Sequence, residues 1–316
     1  MALSQTQVFN DFILPATIET LAQEVEKFNA ASGNAITLTT DGFTGDFLQK
    51  SFFASLESAQ RRVDRYAANT AAKSTDLTQL RADGVKIAGG FGPIRFEPGQ
   101  LTWLQQPTAQ GVEVASTNFA KALLKDQLNT AIAGLVAAVG GNTDTQFKAS
   151  ADLDYSAINN SHAKFGDASG NLIAEIMTGA MYHKLVGQNL TNTQSLFKFD
   201  SVRVVDILGK LVVVTDAPAL YNSTDSLHSV LSLVQNAAVV YDSSDIISNI
   251  ETTNGNNRIE TTLQVDYSFG LSLKGYAWDQ ATGGKTPSDA AIATSANWDK
   301  TATSVKGTAG VLAIGK

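Results

Sequence analysis

The sequence contains no cysteine. That absence excludes disulfides, thiolate nucleophiles and thiolate metal sites together. Histidine is nearly as scarce: His162, His183 and His228 are the only three, and they share no metal-ligand spacing such as His-x-x-x-His. Charge is sparse as well. Asp, Glu, Lys and Arg make up 17% of the chain, against a usual share of about 25%, and the formal net charge is −7. Tight binding to nucleic acid needs clustered Lys and Arg to neutralise phosphates, so this balance argues against it, while leaving room for DNA as a loosely held neighbour. The first residues, MALSQTQVFNDF, lack a basic region followed by an apolar run, so no signal peptide is expected. No apolar stretch reaches about 18 residues without polar interruption, so no membrane span is expected either. Synthesis and folding in a cytoplasm is the simplest reading.

Short chemical motifs are equally thin. GGKT at 283–286 looks like the end of a phosphate-binding loop, but Asp279 stands where its first glycine belongs. Pro287 then follows where that loop should open a helix. GGFG at 89–92 lacks the glycine spacing and following helix of a dinucleotide site. No Gly-x-Ser-x-Gly elbow occurs. Asp152 with Asp154, and Asp242 with Asp245, are carboxylate pairs without the further acidic ligands and glycine of a calcium loop. They read as turn and strand-end aspartates. Asn-x-Ser/Thr at Asn159, Asn189 and Asn222 carries no weight without a secretory signal. No catalytic residue, cofactor site or metal ligand is assigned, and no enzymatic activity is expected.

What is present is bulk. The chain has 316 residues, of which 43% are hydrophobic, enough to bury a core in one large domain or two ordinary ones. Its dominant stretch is the apolar run from Val114 to Val139, which contains no proline and is stopped by Gly140 and Gly141. Leu124, Leu128, Ile132, Leu135 and Val139 recur at steps of three or four and line one helix face; Asn118, Lys121, Lys125 and Asn129 form the wetter stripe. At 1.5 Å per residue this helix is about 39 Å long, a beam for the rest of the chain to pack on.

Around that beam the chain falls into segments. Residues 1–14 read as an apolar arm, and a helix is expected from Pro15 to Ala31. AITLTT (35–40) alternates as a strand, and a second helix is expected from Asp46 to Asn69. Arg61, Arg62 and Arg65 near its end would complement the backbone dipole. VKIA (85–88) and IRFEP (94–98) read as the two arms of a hairpin around the tip GGFGP. A lone hairpin is marginal in water, and this one carries Ile87, Phe91, Phe96, Leu101 and Trp103, so it must dock on something. Residues 142–170 read as polar loops, 171–190 as a helix, 201–218 as two strands around Gly209, and 227–242 as one or two strands. Residues 258–279 read as one long strand, and AGVLAI (309–314) as a last one.

This order, with NLIAEIMTGAMYHKLVGQ (171–188), LGKLVVVTDAPAL (208–220), SLVQNAAVVYD (232–242) and LSLKGYAWD (271–279), resembles the major capsid proteins of tailed bacteriophages. The resemblance spans nearly the whole chain and contains no invariant chemical motif. It implies an α+β, Hong Kong 97-type capsid fold with an N-terminal arm, an extended hairpin loop, a peripheral domain with a long spine helix, and an axial α+β domain. The implied division is 1–45 for the arm and first helix, 46–75 for the first peripheral part and 76–112 for the extended loop. The spine follows at 113–150, the axial domain at 151–255, and a peripheral strand and tail at 256–316.

The resemblance also implies what the protein does: a virion protein that assembles itself as pentamers and hexamers into an icosahedral head around double-stranded DNA. The intersubunit contacts expected on that basis are Phe9, Phe12, Arg61, Arg62, Arg65, Lys86, Phe91, Arg95, Phe96, Glu97 and Trp103. The arginines would dock a neighbour's hairpin, through Glu97. Some relatives crosslink Lys to Asn, but no matching motif surrounds Lys86. The arm begins almost at Met1, so a separate scaffolding protein is expected, with a portal and a decoration protein as further partners. No cofactor and no membrane enter this reading. Two rival readings use the same residues: an encapsulin-like cellular shell around a cargo enzyme, and a monomeric binding or surface protein whose arm and hairpin pack at home.

Overall fold

A computed structural model describes residues 16, 25–26, 28–39, 48–53, 62, 64–66, 68, 79–96, 109–150, 152–191, 206–207, 209–254 and 259–316. The strands are β1 (Ile36–Thr39), β2 (Leu48–Phe53), β3 (Gln79–Phe96), β4 (Gln146–Lys148), β5 (Leu172–Met177), β6 (Asp206–Ile207) and β7 (Lys210–Val214). There follow β8 (Tyr221–Asn222), β9 (Leu227–Val234), β10 (Ala238–Asn254), β11 (Ile259–Leu273), β12 (Tyr276–Trp278), β13 (Trp298–Lys300) and β14 (Gly310–Gly315). The longer helices are α1 (Ala109–Gly140), α2 (Tyr155–Ala163) and α3 (Gly179–Thr191).

Helix α1 is the beam, and it starts five residues before Val114. Its 32 residues span about 48 Å. The apolar face is where the periodicity puts it: Ile132, Leu135 and Val139 are buried, and Asn118, Lys121 and Lys125 are exposed. Toward the C-terminus the helix is covered on more sides, because it runs between two sheets and meets both β10–β11 and β14. Its end is capped by Thr145, whose hydroxyl donates to the Val139 carbonyl at 2.8 Å. Thr117–Gly140 is long and apolar enough, by length and composition alone, to cross a membrane. The window still carries polar residues such as Asn129, and more than half of it is buried in the protein, as in a core helix.

One sheet has five strands in the order β1-β10-β11-β3-β2, with β1 parallel to β10 and the other neighbours antiparallel. A second has seven, β4-β14-β9-β5-β7-β6 with β8 against β9, and β12 and β13 pair as a small third. A continuous core joins α1 to the inner faces of the first two, with Phe269, Leu271, Leu231, Leu233 and Val311 among its residues. The opposite face of the seven-stranded sheet is closed by α2 and α3 through Ile158, Met181 and Leu185. At the N-terminal edge, Asn29 clamps β1 by accepting from the Leu38 amide at 2.9 Å and donating to its carbonyl at 2.8 Å.

Several expectations change. Within 46–69 the described residues hold strand β2 and exposed, non-helical residues 62, 64–66 and 68, so the expected helix is replaced. Pairing of Leu48–Phe53 with Gln79–Gly84 outweighs the helical spacing of Phe47, Leu48 and Phe52. The hairpin expected with arms at 85–88 and 94–98 is not formed; β2 pairs antiparallel with the first part of β3 instead. GGFGP is not a tip: β3 runs straight through it, 18 residues long. The ladder shifts there, with Phe91 opposite Val265 and Ile94 opposite Leu263, so Gly92 and Pro93 face one partner residue. This is a bulge, the place in a sheet that tolerates a proline, and Gly92 takes the positive φ of 106° it requires.

The segment 171–190 is not one helix. Leu172–Met177 forms β5, paired with β7 and β9, and the helix begins only at Gly179. Thr178 starts it by accepting from the Met181 amide at 3.2 Å. The polar stretch 142–170 contains β4 and α2, the latter capped by Asp154, which accepts from the Ala157 amide at 2.7 Å. The long strand 258–279 is broken at Gly275, φ 79°, into β11 and β12. Strand β10 runs to Asn254 alongside β11, so the chain passes from the seven-stranded to the five-stranded sheet at Gln235–Ala237. The pairs β6–β7 and the last strand β14 stand where the sequence places them.

Candidate assembly surfaces

Of the expected contact residues, Phe9, Phe12, Arg61, Glu97 and Trp103 lie outside the described residues, and Phe96 is described only as the last residue of β3. Arg62 and Arg65 are exposed, and next to them Tyr66 is 100% exposed. Arg95 is exposed but engaged at home, 3.1 Å from the Glu260 carboxylate on β11. Phe91 is half-buried. Its ring meets Phe119 of α1 edge-on at 6.0 Å and lies 5.3 Å from Tyr267 of β11, so it packs within its own chain. Lys86 is half-buried, on the wall of a shallow cavity of about 480 Å³ beside Ala88, Asp266 and Ile247.

The surfaces that sequence reasoning missed are apolar side chains on strands. Among the described residues Ile247 is 64% exposed, Val214 44% and Tyr221 43%. Strand alternation could not have found Val214, which shares the face of buried Val212 and is exposed only because the strand ends there. Ile247 sits on β10 beyond the residues that pair with β1, and there Ile246, the adjacent residue, faces the core. Together these positions spread apolar area over both sheets, as a protein that covers itself with copies needs.

Inside, the seven-stranded sheet holds a polar cluster. Glu175 of β5 is fully buried, with its carboxylate 3.2 Å from Nε2 of His162 on α2. The same nitrogen lies 2.9 Å from the Ser232 hydroxyl on β9. Serine, imidazole and carboxylate thus meet, but at one ring nitrogen rather than in relay, and all three are buried away from any substrate. The cluster ties α2 to the sheet. Asp152 and Asp154 are a surface partner of Lys184 and a helix cap respectively. Among the described residues, no group of three or more His, Asp and Glu is placed to hold a metal ion.

A helix laid between a five-stranded and a seven-stranded sheet, with β2 at one edge, matches the fold of phage capsid structures. Solved structures agree. The chain superposes on a protein of Mycobacterium phage Adephagia with a TM-score of 0.53 at 13% identity, covering 90% of this chain and 88% of that one. A Microbacterium phage Oxtober96 protein gives 0.51 at 12% identity, with 90% of each chain covered. The capsid asymmetric unit of Cyanophage Pam1 gives 0.50 at 11% identity, with 89% and 87% covered. No curated protein matches the sequence. The family described as Gp13-like, major capsid protein 13-like, matches residues 5–312, and the chain belongs to that family. It is a major capsid protein of phage heads, a structural virion component that associates with itself into a shell.

Proposed function

We propose that the chain forms pentamers and hexamers that close into an icosahedral head around double-stranded DNA. The observation that carries this reading is the family match over residues 5–312, joined to the helix-between-sheets fold. The charge balance supports it: a net −7 leaves packaged DNA weakly held. So does the distribution of exposed apolar side chains over two sheets. In this reading the seven-stranded sheet with α2 and α3 lies toward the capsomer axis, and the five-stranded sheet with α1 forms the periphery. Assembly takes place in the host cytoplasm, with a scaffolding protein, a portal and a decoration protein as partners.

The test is to express the chain with the genes that neighbour its own and to band the particles on a density gradient. Nuclease-protected double-stranded DNA in full particles supports the proposal. Particles that instead carry one cargo enzyme and no DNA support the encapsulin-like alternative and contradict it.

A further inference from the structure

A cavity of about 560 Å³ opens on the seven-stranded sheet where β7 leaves it and α3 begins. Its walls combine three kinds of surface. Asp216 supplies a carboxylate, exposed to solvent, whose Oδ1 accepts from the Gly179 amide at 3.0 Å. Among the described residues its Oδ2 has no partner. Tyr221 supplies an aromatic face: one side of its ring lies 4.8 Å from the His228 ring, and it is 43% exposed. Ala180, Ala217 and Pro218 supply an apolar floor. His228 is held below the usual imidazole range by burial and then by Lys184, so the wall carries no imidazolium near neutral pH. Lys184 itself is turned to Asp152 at 3.0 Å and to the Lys316 carbonyl at 2.7 Å.

A carboxylate, an open aromatic face and an apolar floor together match a guanidinium on its aliphatic stem. The planar ion stacks on the ring and is bonded in its plane by the carboxylate, while the methylenes cover the floor. The chain supplies the complement. Of the arginines whose side chains are described, Arg95 is held by Glu260, whereas Arg62 and Arg65 are exposed beside the fully exposed Tyr66. Tyr221, one of the five exposed large apolar side chains among the described residues, lines this cavity.

We propose that the cavity lined by Asp216 and Tyr221 receives the Arg62–Tyr66 segment of a second copy of this chain. The contact is heterologous, pocket on one subunit and basic segment on the next, the kind that closes into rings. The inference rests on the capsid reading, because it requires an assembled neighbour.

The absence of native cysteine makes the test direct. Ser223, exposed on the cavity wall, and Tyr66 are each replaced by cysteine, and assembled particles are oxidised and run on a non-reducing gel. The proposal predicts a ladder of covalent oligomers in particles of the Ser223→Cys, Tyr66→Cys double variant and only monomers in either single variant. Particles of the double variant that stay monomeric on the gel overturn the proposal and leave the capsid reading intact. Failure of the unmodified chain to form any particle, with its co-encoded neighbours present, overturns both. Asp216→Asn gives an independent readout, because it keeps the acceptor for the Gly179 amide and removes only the charge. It raises the concentration needed for half-assembly several-fold at low salt and by less at ~0.5 M salt. An unchanged threshold at both salts contradicts the proposal.

Discussion

The Tyr267 hydroxyl donates to the Asp126 carboxylate at 2.7 Å, fastening the middle of the long helix to the longest-paired part of the five-stranded sheet. The ring is buried, between Phe91 at 5.3 Å and Phe269 at 6.4 Å. Burial first and Asp126 second push the phenol far above its ordinary pKa, so it donates over the whole working range. Tyr267→Phe keeps the packing and removes the bond. The expected loss is about 1–2 kcal/mol, since Asp126 keeps some access to water. Urea midpoints of the unassembled protein measure it.

Phe91 and Ile247 should separate folding from assembly. Phe91→Ser removes a half-buried ring from contacts with Phe119 and Tyr267 and should lower stability by roughly 2–3 kcal/mol. Ile247→Ser touches a side chain that is 64% exposed and should change stability by less than about 0.5 kcal/mol. If the outer face of β10 is covered in the shell, Ile247→Ser slows assembly while circular dichroism and thermal midpoint stay as they were. A drop in the midpoint as large as that of Phe91→Ser would place Ile247 in the chain's own core instead.

His162→Ala should be among the most destabilising single changes. It removes the His162 partner 3.2 Å from the fully buried Glu175 carboxylate, and breaking a buried pair costs about 3–5 kcal/mol. His162→Ala with Glu175→Gln removes the charge as well and should recover part of the loss. A double variant no better than His162→Ala, by chemical denaturation, would show that α2 is held by packing alone.

Alkaline pH offers a further check. The Tyr155 phenol, which donates to the Leu185 carbonyl at 3.1 Å, is pushed up to about 12 by burial, then Tyr182 and Glu175. A raised folded pKa contributes stability below the unfolded value of about 10 and loses it as pH climbs to the folded one. Stability should therefore fall between about pH 10 and 12, and Tyr155→Phe should flatten part of that slope. Tyr267 and Tyr276, raised in the same direction, account for the slope that persists.

The long helix was readable in the sequence because a glycine pair ends it and one apolar stripe continues through Leu124, Leu128, Ile132, Leu135 and Val139. Strands β6, β7 and β14 were readable for a similar local reason: a turn glycine or a short apolar run marks them. What could not be read was decided by partners distant in sequence. Residues 48–53 carry apolar positions that suit a helix, and only their pairing with 79–84 makes them a strand. GGFGP has the composition of a turn, but ten residues of β11 pair with β3 on both sides of it and through it, an extended ladder that absorbs Gly92 and Pro93 as a bulge. The same holds for function. The capsid class was legible as an order of elements, whereas Phe91 as a core residue and Tyr221 as part of a cavity depend on Phe119, Tyr267 and His228, which no spacing connects.

The most direct measurement is electron microscopy of the purified chain, alone and with its co-encoded neighbours, across protein concentration and salt. The account predicts closed shells, or five- and six-membered rings, in which each subunit shows the long helix between two sheets. A protein that stays monomeric by light scattering in every one of these mixtures would contradict it.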